Sequence, residues 1–151
     1  MVRPGPAVFN LRPMTTADIP DALALWRSMA GISLFASDSV AGITRYLERN
    51  PNLSVVAHLD GELVGALMAG HDGRRGYLHH AAVVKNCRLR GIGRAMVDWC
   101  VSRLSAEALG RCHILVDVEN RAGLEFWKHL GWEPRSEQVH LLSFTMDPDR
   151  A

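Results

Sequence analysis

The sequence predicts an α/β fold: a mixed β-sheet of about seven strands flanked by four helices, in the order β-α-α-β-β-β-α-β-α-β-β. Three stretches carry that prediction. Leu53 to Leu59 and Glu62 to Gly70 are strand-like runs on either side of Asp60-Gly61, a strong hairpin signal. Tyr77 to Val84 is an apolar run read as a strand, and a basic, glycine-punctuated loop follows it. Beyond that loop Ile92, Ala95, Met96 and Trp99 recur at helical spacing, so a helix opens near Arg90 or Gly91.

The elements follow in order. Ala7 to Arg12 reads as a first strand, closed by Pro13. Thr15 or Thr16 caps a helix carrying Ile19, Leu23, Leu25, Trp26 and Met29, with Asp18 and Asp21 near its positive end. Ser37 or Ser39 caps a second helix with Val40, Ile43, Tyr46 and Leu47 on its apolar face, and Asn50-Pro51-Asn52 ends it. After the hairpin comes a strand from Gly76 to Val84, then a long helix from about Gly91 to Ala108. Cys112 to Val118 supplies the next strand and Arg121 to Leu130 the fourth helix. Trp132 to Pro134 and Val139 to Met146 are read as the last two strands. Residues 1–151 are expected to form one domain, with the first seven residues flexible.

The loop after Val84 has the chemistry of a phosphate site. Helix first-turn N–H groups have no intrahelical partner and carry the positive end of the macrodipole. Gly91 and Gly93 let a ligand approach the backbone, and Arg88, Arg90 and Arg94 bring cations suited to a diphosphate. No Gly-x-x-x-x-Gly-Lys-[Ser/Thr] run is present, and Met96 stands where a dinucleotide fingerprint wants a small residue.

Arg88-x-x-Gly91-x-Gly93 resembles the [Gln/Arg]-x-x-Gly-x-[Gly/Ala] pyrophosphate loop of the GNAT superfamily, the acetyl-CoA-dependent N-acetyltransferases. Asn120-Arg121-Ala122-Gly123-Leu124-Glu125-Phe126-Trp127-Lys128-His129-Leu130-Gly131-Trp132 resembles that family's Asn-x-x-Ala-x-x-Phe-Tyr-x-x-x-Gly-Phe helix, and the element order agrees. The resemblance implies acetyl-CoA as co-substrate and no metal. It implies that the fourth and fifth strands splay apart at a bulge, with a pantetheine arm in that gap pairing with the backbone of Ala81, Ala82 and Val83, and a diphosphate on the N–H groups of Leu89, Arg90, Gly91, Ile92, Gly93 and Arg94. It also places Asn120 near the thioester end, and the amide of Ala82 or Val83 at the thioester carbonyl. Trp127 stands where the family usually has a tyrosine credited with protonating the thiolate; an indole N–H donates a hydrogen bond but has no useful acidity. Leu89 and Gly123 replace a usual glycine and a usual alanine, and Gly123 weakens its helix by about 1 kcal/mol.

Alternation along a regular strand would put Tyr77, His79, Ala81 and Val83 on one face and Leu78, His80 and Ala82 on the other. Places matching Tyr77 and His79 serve the amine in some relatives. An imidazole near its ordinary pKa of about 6.5 suits that task. Asp117 is the second candidate base, and His80 is read as structural. The resemblance implies that the acceptor enters past the loop Ala30 to Asp38 and the segment Glu133 to His140, where Ser33, Phe35, Asp38, Glu133, Arg135, Glu137 and His140 suggest a cationic amine: a polyamine, an aminoglycoside-like compound, an amino acid or a protein N-terminus.

Seventeen basic and 16 acidic residues give no bulk attraction for nucleic acid. Cys87, Cys100 and Cys112 have no metal spacing and read as reduced, cytoplasmic thiols. No apolar run approaches a membrane span, and Met1 to Pro6 is too short and polar for a signal peptide. Two readings stay open: an N-acetyltransferase acting on a primary amine of a small molecule or peptide, and a non-catalytic acyl-CoA-binding sensor or partner subunit. A variant of the first uses another acyl-CoA. A homodimer through the sheet edge or the last strands is compatible with the family.

Overall fold

The computed structural model describes residues 8–151; the expected flexible N-terminus and the Ala7 start of the first strand lie outside the described residues. The chain runs β1 (Asn10–Pro13), α1 (Ile19–Arg27), α2 (Val40–Arg49), β2 (Val55–Leu59), β3 (Glu62–His71), β4 (Gly76–Val83), α3 (Ile92–Ala106), β5 (Cys112–Ile114) and α4 (Arg121–His129). Short 3-10 turns sit at Thr16–Asp18, Ala36–Asp38 and Lys85–Cys87.

The strands form one sheet in sequence order, antiparallel from β1 to β4 and parallel between β4 and β5. Period-two alternation sends neighbouring residues to opposite faces. Val55, Ala57, Leu67 and Leu78 meet Ile92, Met96, Cys100 and Leu104 of α3 and Trp127 of α4 on one face. Val56, Ala66, Met68 and Ala82 meet Ile19, Leu23 and Trp26 of α1 and Ile43 and Leu47 of α2 on the other. Each helix is seated by local chemistry. Ser39 Oγ accepts from Gly42 N–H to cap α2, and Asn50 ends it while its side chain accepts from His71 N–H. Arg12 of β1 clamps Asp18 with two bonds of 2.7 and 2.6 Å, which fixes the entry to α1.

Two expectations fail here. The sheet has five strands among the described residues, because β5 ends at Ile114 and neither Trp132 to Pro134 nor Val139 to Met146 joins it. A strand needs a partner ladder, and the chain that would offer one leaves the sheet after Ile114. The second failure is strand parity. Ala66 pairs with Ala82 but Met68 pairs with His79, so His80 and Ala81 together face Leu67 alone. This β-bulge, with His80 at φ +57, shifts the alternation by one residue. Ala81 and Val83 therefore pack with the α3 face, while Tyr77, His79 and His80 stay together on the α1/α2 face.

Candidate functional site

The bulge and the short β5 open the sheet at one place. β4 and β5 pair only through Gly76–Leu78 and Cys112–Ile114. Beyond them a cavity of about 640 Å³ runs from Val116, Asn120 and Trp127, past Ala81 and His79, to α2. Val84 N–H bonds Val64 C=O, so on the regular ladder Ala82 serves β3 while Ala81 and Val83 turn their backbone groups toward the gap. Of the three residues expected to pair with the arm, two face the gap and Ala82 does not.

His79 lies on the cavity wall, edge-on to Tyr46 at 5.8 Å between ring centroids and stacked against Tyr77 at 6.4 Å. Burial first, and then the charge of His80, push His79 below the ordinary imidazole value, while Asp38 pulls the other way. A depressed imidazole is neutral at physiological pH and free to accept a proton. Burial likewise pushes the Tyr46 hydroxyl up, so it stays a protonated donor. Tyr77 stands behind His79 and beside His113, outside the cavity walls.

His80, read from sequence as structural, also lines the cavity. Its Nε2 is 2.8 Å from Asp38 Oδ1, with side chains 18% and 10% exposed. Burial opposes the Asp38 charge, but the His80 bond, the Phe35 N–H and both imidazoles hold the carboxyl below its usual range. Asp117 is exposed and accepts 2.7 Å from Ser33 Oγ, which ties the α1–α2 loop to the segment after β5. Asn120 caps α4 through Gly123 N–H, and its Nδ2 donates to Gly31 C=O at 3.4 Å. Trp127 is buried, packs on Phe126 and Trp132, and closes the cavity floor.

The glycine loop turns its backbone outward at the start of α3. Gly91 is the N-cap of α3 at φ +80, with open space where a side chain would stand. The capping bond from Ala95 N–H to Gly91 C=O leaves the N–H groups of Ile92, Gly93 and Arg94 ahead of it, at the positive end of the helix. Leu89 is at φ +62 with its side chain fully exposed, which is the conformation a glycine would take there without strain. Arg90 and Arg94 are exposed. Arg88 folds back instead: its Nε donates to Val83 C=O and its guanidinium rests on Met29 Sδ.

Of the expected acceptor residues, Ser33, Phe35 and Asp38 line the cavity; Glu133, Arg135, Glu137 and His140 do not. Sequence reasoning missed Arg45, Tyr46 and Arg49 as wall residues. Their signal was a second polar-aromatic stripe on the helix already read as amphipathic, at positions Gly42, Arg45, Tyr46 and Arg49.

The same arrangement of elements recurs in known proteins. Among solved structures, Ard1 from Thermoplasma volcanium superposes with a TM-score of 0.72 at 19% identity, over 82% of this chain and 81% of that one. Rv2747 from Mycobacterium tuberculosis, solved in complex with CoA, gives 0.65 at 23% identity, over 81% and 70%. In sequence, Acetyltransferase ECA0875 of Pectobacterium atrosepticum is 33% identical over 97 residues, 64% of this chain and 69% of that protein. Acetyltransferase plu1384 of Photorhabdus laumondii is 28% identical over 134 residues, 89% and 93%. The family model of the Acetyltransferase (GNAT) family matches residues 21–132, a span that holds the split sheet, the glycine loop, the cavity and α4. The chain belongs to that acetyltransferase family.

Proposed function

We propose that the protein is an N-acetyltransferase that moves the acetyl group of acetyl-CoA to a primary amine of a small molecule or peptide, by direct attack in a ternary complex. The observation that carries this reading is one continuous cavity joining the β4–β5 gap to the half-buried His79 imidazole on its wall.

The family uses acetyl-CoA, and the residues present fit it. The gap is edged by the backbone of Ala81 and Val83. The space over Gly91 is open, and the α3 N-terminus offers N–H groups beside Arg90 and Arg94. When bound, acetyl-CoA supplies an acetyl group activated as a thioester. The α3 amides and Arg90 and Arg94 would hold its diphosphate, with Leu89, Gly91, Ile92 and Gly93 forming the backbone cradle. Ala81 and Val83 would hydrogen-bond the pantetheine amides, and a gap-facing N–H would meet the oxygen that gains charge during transfer. His79 takes a proton from the acceptor ammonium, so that the amine lone pair bonds to the acetyl carbon as the carbon–sulfur bond breaks. The sulfur would leave with the bond's electrons and take a proton from solvent, to which the acylated nitrogen gives up its second proton. The Trp127 N–H orients the sulfur without protonating it. Asp117 positions the α1–α2 loop through Ser33, and Tyr77 orders the His79 ring by stacking.

Titration calorimetry with acetyl-CoA and a thiol-release assay over an amine panel test this reading. Binding that is lost in Gly91→Glu, with thiol release from at least one amine, is expected. No binding of acetyl-CoA or coenzyme A overturns it. Trp127 in place of the tyrosine favours the second reading, a non-catalytic acyl-CoA sensor or partner subunit, and binding without thiol release from any amine would select it.

We also infer a homodimer. Among the described residues the outer edge of β5 carries no strand, and Leu142, Phe144 and Met146 alternate along an exposed segment at 89%, 88% and 91%. Light scattering should give twice the chain mass, and truncation before Val139 should give the monomer.

A further inference from the structure

α2 turns one face to the cavity, made by Gly42, Arg45, Tyr46 and Arg49. Ile43 and Leu47, on the other face, pack into the core with α1. Arg45 and Arg49 are one helical turn apart, so their charges project side by side and repel, a small local cost. Among the described residues neither has a carboxylate within ion-pair distance. The carboxylates on the cavity wall are already committed, Asp38 to His80 and the Phe35 N–H, and Asp117 to Ser33. The fold therefore leaves two cations on this wall with nothing of its own to neutralise them.

Their place along the cavity gives them a meaning. Tyr46 Oη stands 2.5 Å from where a Cβ on Gly70 would be, and Gly70 pairs with Tyr77 at the start of β4. The arginine face of α2 thus flanks the N-terminal end of β4. Ala81, Val116, Asn120 and Trp127 line the opposite end, where the sheet splits. His79 lies between them. A ligand with its nitrogen at His79 and its far end away from the gap meets Arg45 and Arg49.

Resting on the transferase reading above, we propose that the acceptor is an amine that also bears an oxyanion, a carboxylate or phosphonate a few bonds from the nitrogen, and that Arg45 and Arg49 bind that anion. This narrows the cationic amines suggested by the flanking loops to those that also carry an anion; of the acidic residues in those loops only Asp38 reaches the cavity. Guanidinium forks match carboxylate and phosphonate oxygens in pairs, whereas amides and alkyl groups leave them unsatisfied.

The test pairs each acid with a neutral counterpart: common L-amino acids against their carboxamides, and aminomethylphosphonate against methylamine. Thiol release gives kcat and KM, and calorimetry on the coenzyme A-loaded protein gives binding independent of turnover. Each lost charge-assisted contact corresponds to a factor of about ten or more in affinity. The acid is expected to have a KM at least about tenfold below its amide, and Arg45→Gln/Arg49→Gln should erase that ratio mainly through KM. Arg27→Gln, on the exposed side of α1 and outside the cavity, should keep the ratio. The carboxylate and phosphonate arms show which anion is preferred. Equal use of acids and amides, or a preference that survives the double variant, overturns the proposal. Acid binding lost in the double variant without thiol release from any amine keeps the anion site and overturns the transferase reading instead. Thiol release with no acid preference does the reverse.

Discussion

Removing the Asp38 carboxylate probes the contact that holds the cavity wall together. Asp38 accepts from His80 Nε2 at 2.8 Å and from Phe35 N–H at 3.0 Å, and both side chains are mostly shielded. A hydrogen bond to a charged group is worth about 1.5–3 kcal/mol and a backbone cap about 1 kcal/mol more. Asp38→Ala should therefore cost about 3 kcal/mol at neutral pH. For a chain of this size that lowers Tm by roughly 6–12 °C. His80→Ala and the double variant complete a cycle in urea, with an expected coupling of about 1–2 kcal/mol. The pH dependence has a fixed sign. The Asp38 carboxyl is held below its unfolded value, so its contribution is complete above about pH 4 and fades as pH falls through the folded pKa. The gap between wild type and Asp38→Ala should narrow there. A loss below about 1 kcal/mol at neutral pH, or a coupling near zero, would refute the view that this pair organises the wall.

Other outcomes follow from the same structure. His79→Gln should lower kcat by about 10²-fold or more and remove the limb of the kcat/KM profile due to His79, which lies below the ordinary imidazole value in the wild type; an unchanged limb would remove His79 as base. Asp18→Asn should cost about 1–2 kcal/mol at neutral pH, a discounted figure because Arg12 is 46% exposed. Burial opposes that charge, yet the Arg12 fork and Thr15 hold the carboxyl below its usual range, so the difference should vanish in acid denaturation series as pH falls through the folded pKa. Gly123→Ala sets two effects of similar size against each other. Helix propensity favours alanine by about 1 kcal/mol, but a Cβ there would run into the Asn120 side chain and displace a cap worth about 1 kcal/mol. Thermal melts should show almost no change; a clear gain would mean that Asn120 does not need its present rotamer.

The local signals were legible because local chemistry produced them. Asp60-Gly61 turns the hairpin with both residues at positive φ, Ser39 caps α2, and Gly91 opens α3. The helix faces read from periodicity are the faces that pack: Ile19, Leu23 and Trp26 on one side of the sheet, and Ile92, Met96, Cys100 and Leu104 on the other. The family, with its two motifs in order, was legible for the same reason.

The sequence by itself thus determined the order of the elements through α4, their apolar faces, the glycine loop and the family that carries it, while the two strands read after α4 do not form. Tertiary structure alone decided how the cavity is furnished. The β4 bulge arises from a mismatch between two strands, Leu67 facing both His80 and Ala81, and no single-strand pattern encodes a mismatch. That one extra residue turns His80 to the side of His79 and Ala81 to the gap. Arg45 and Arg49 became cavity residues only when α2 was laid beside β4, and the Arg88 side chain meets Val83 C=O and Met29 Sδ only in the folded chain. Backbone propensity and periodicity act over a few residues, whereas the site is assembled from segments as far apart as Ser33 and Asp117, and that closeness exists only after folding.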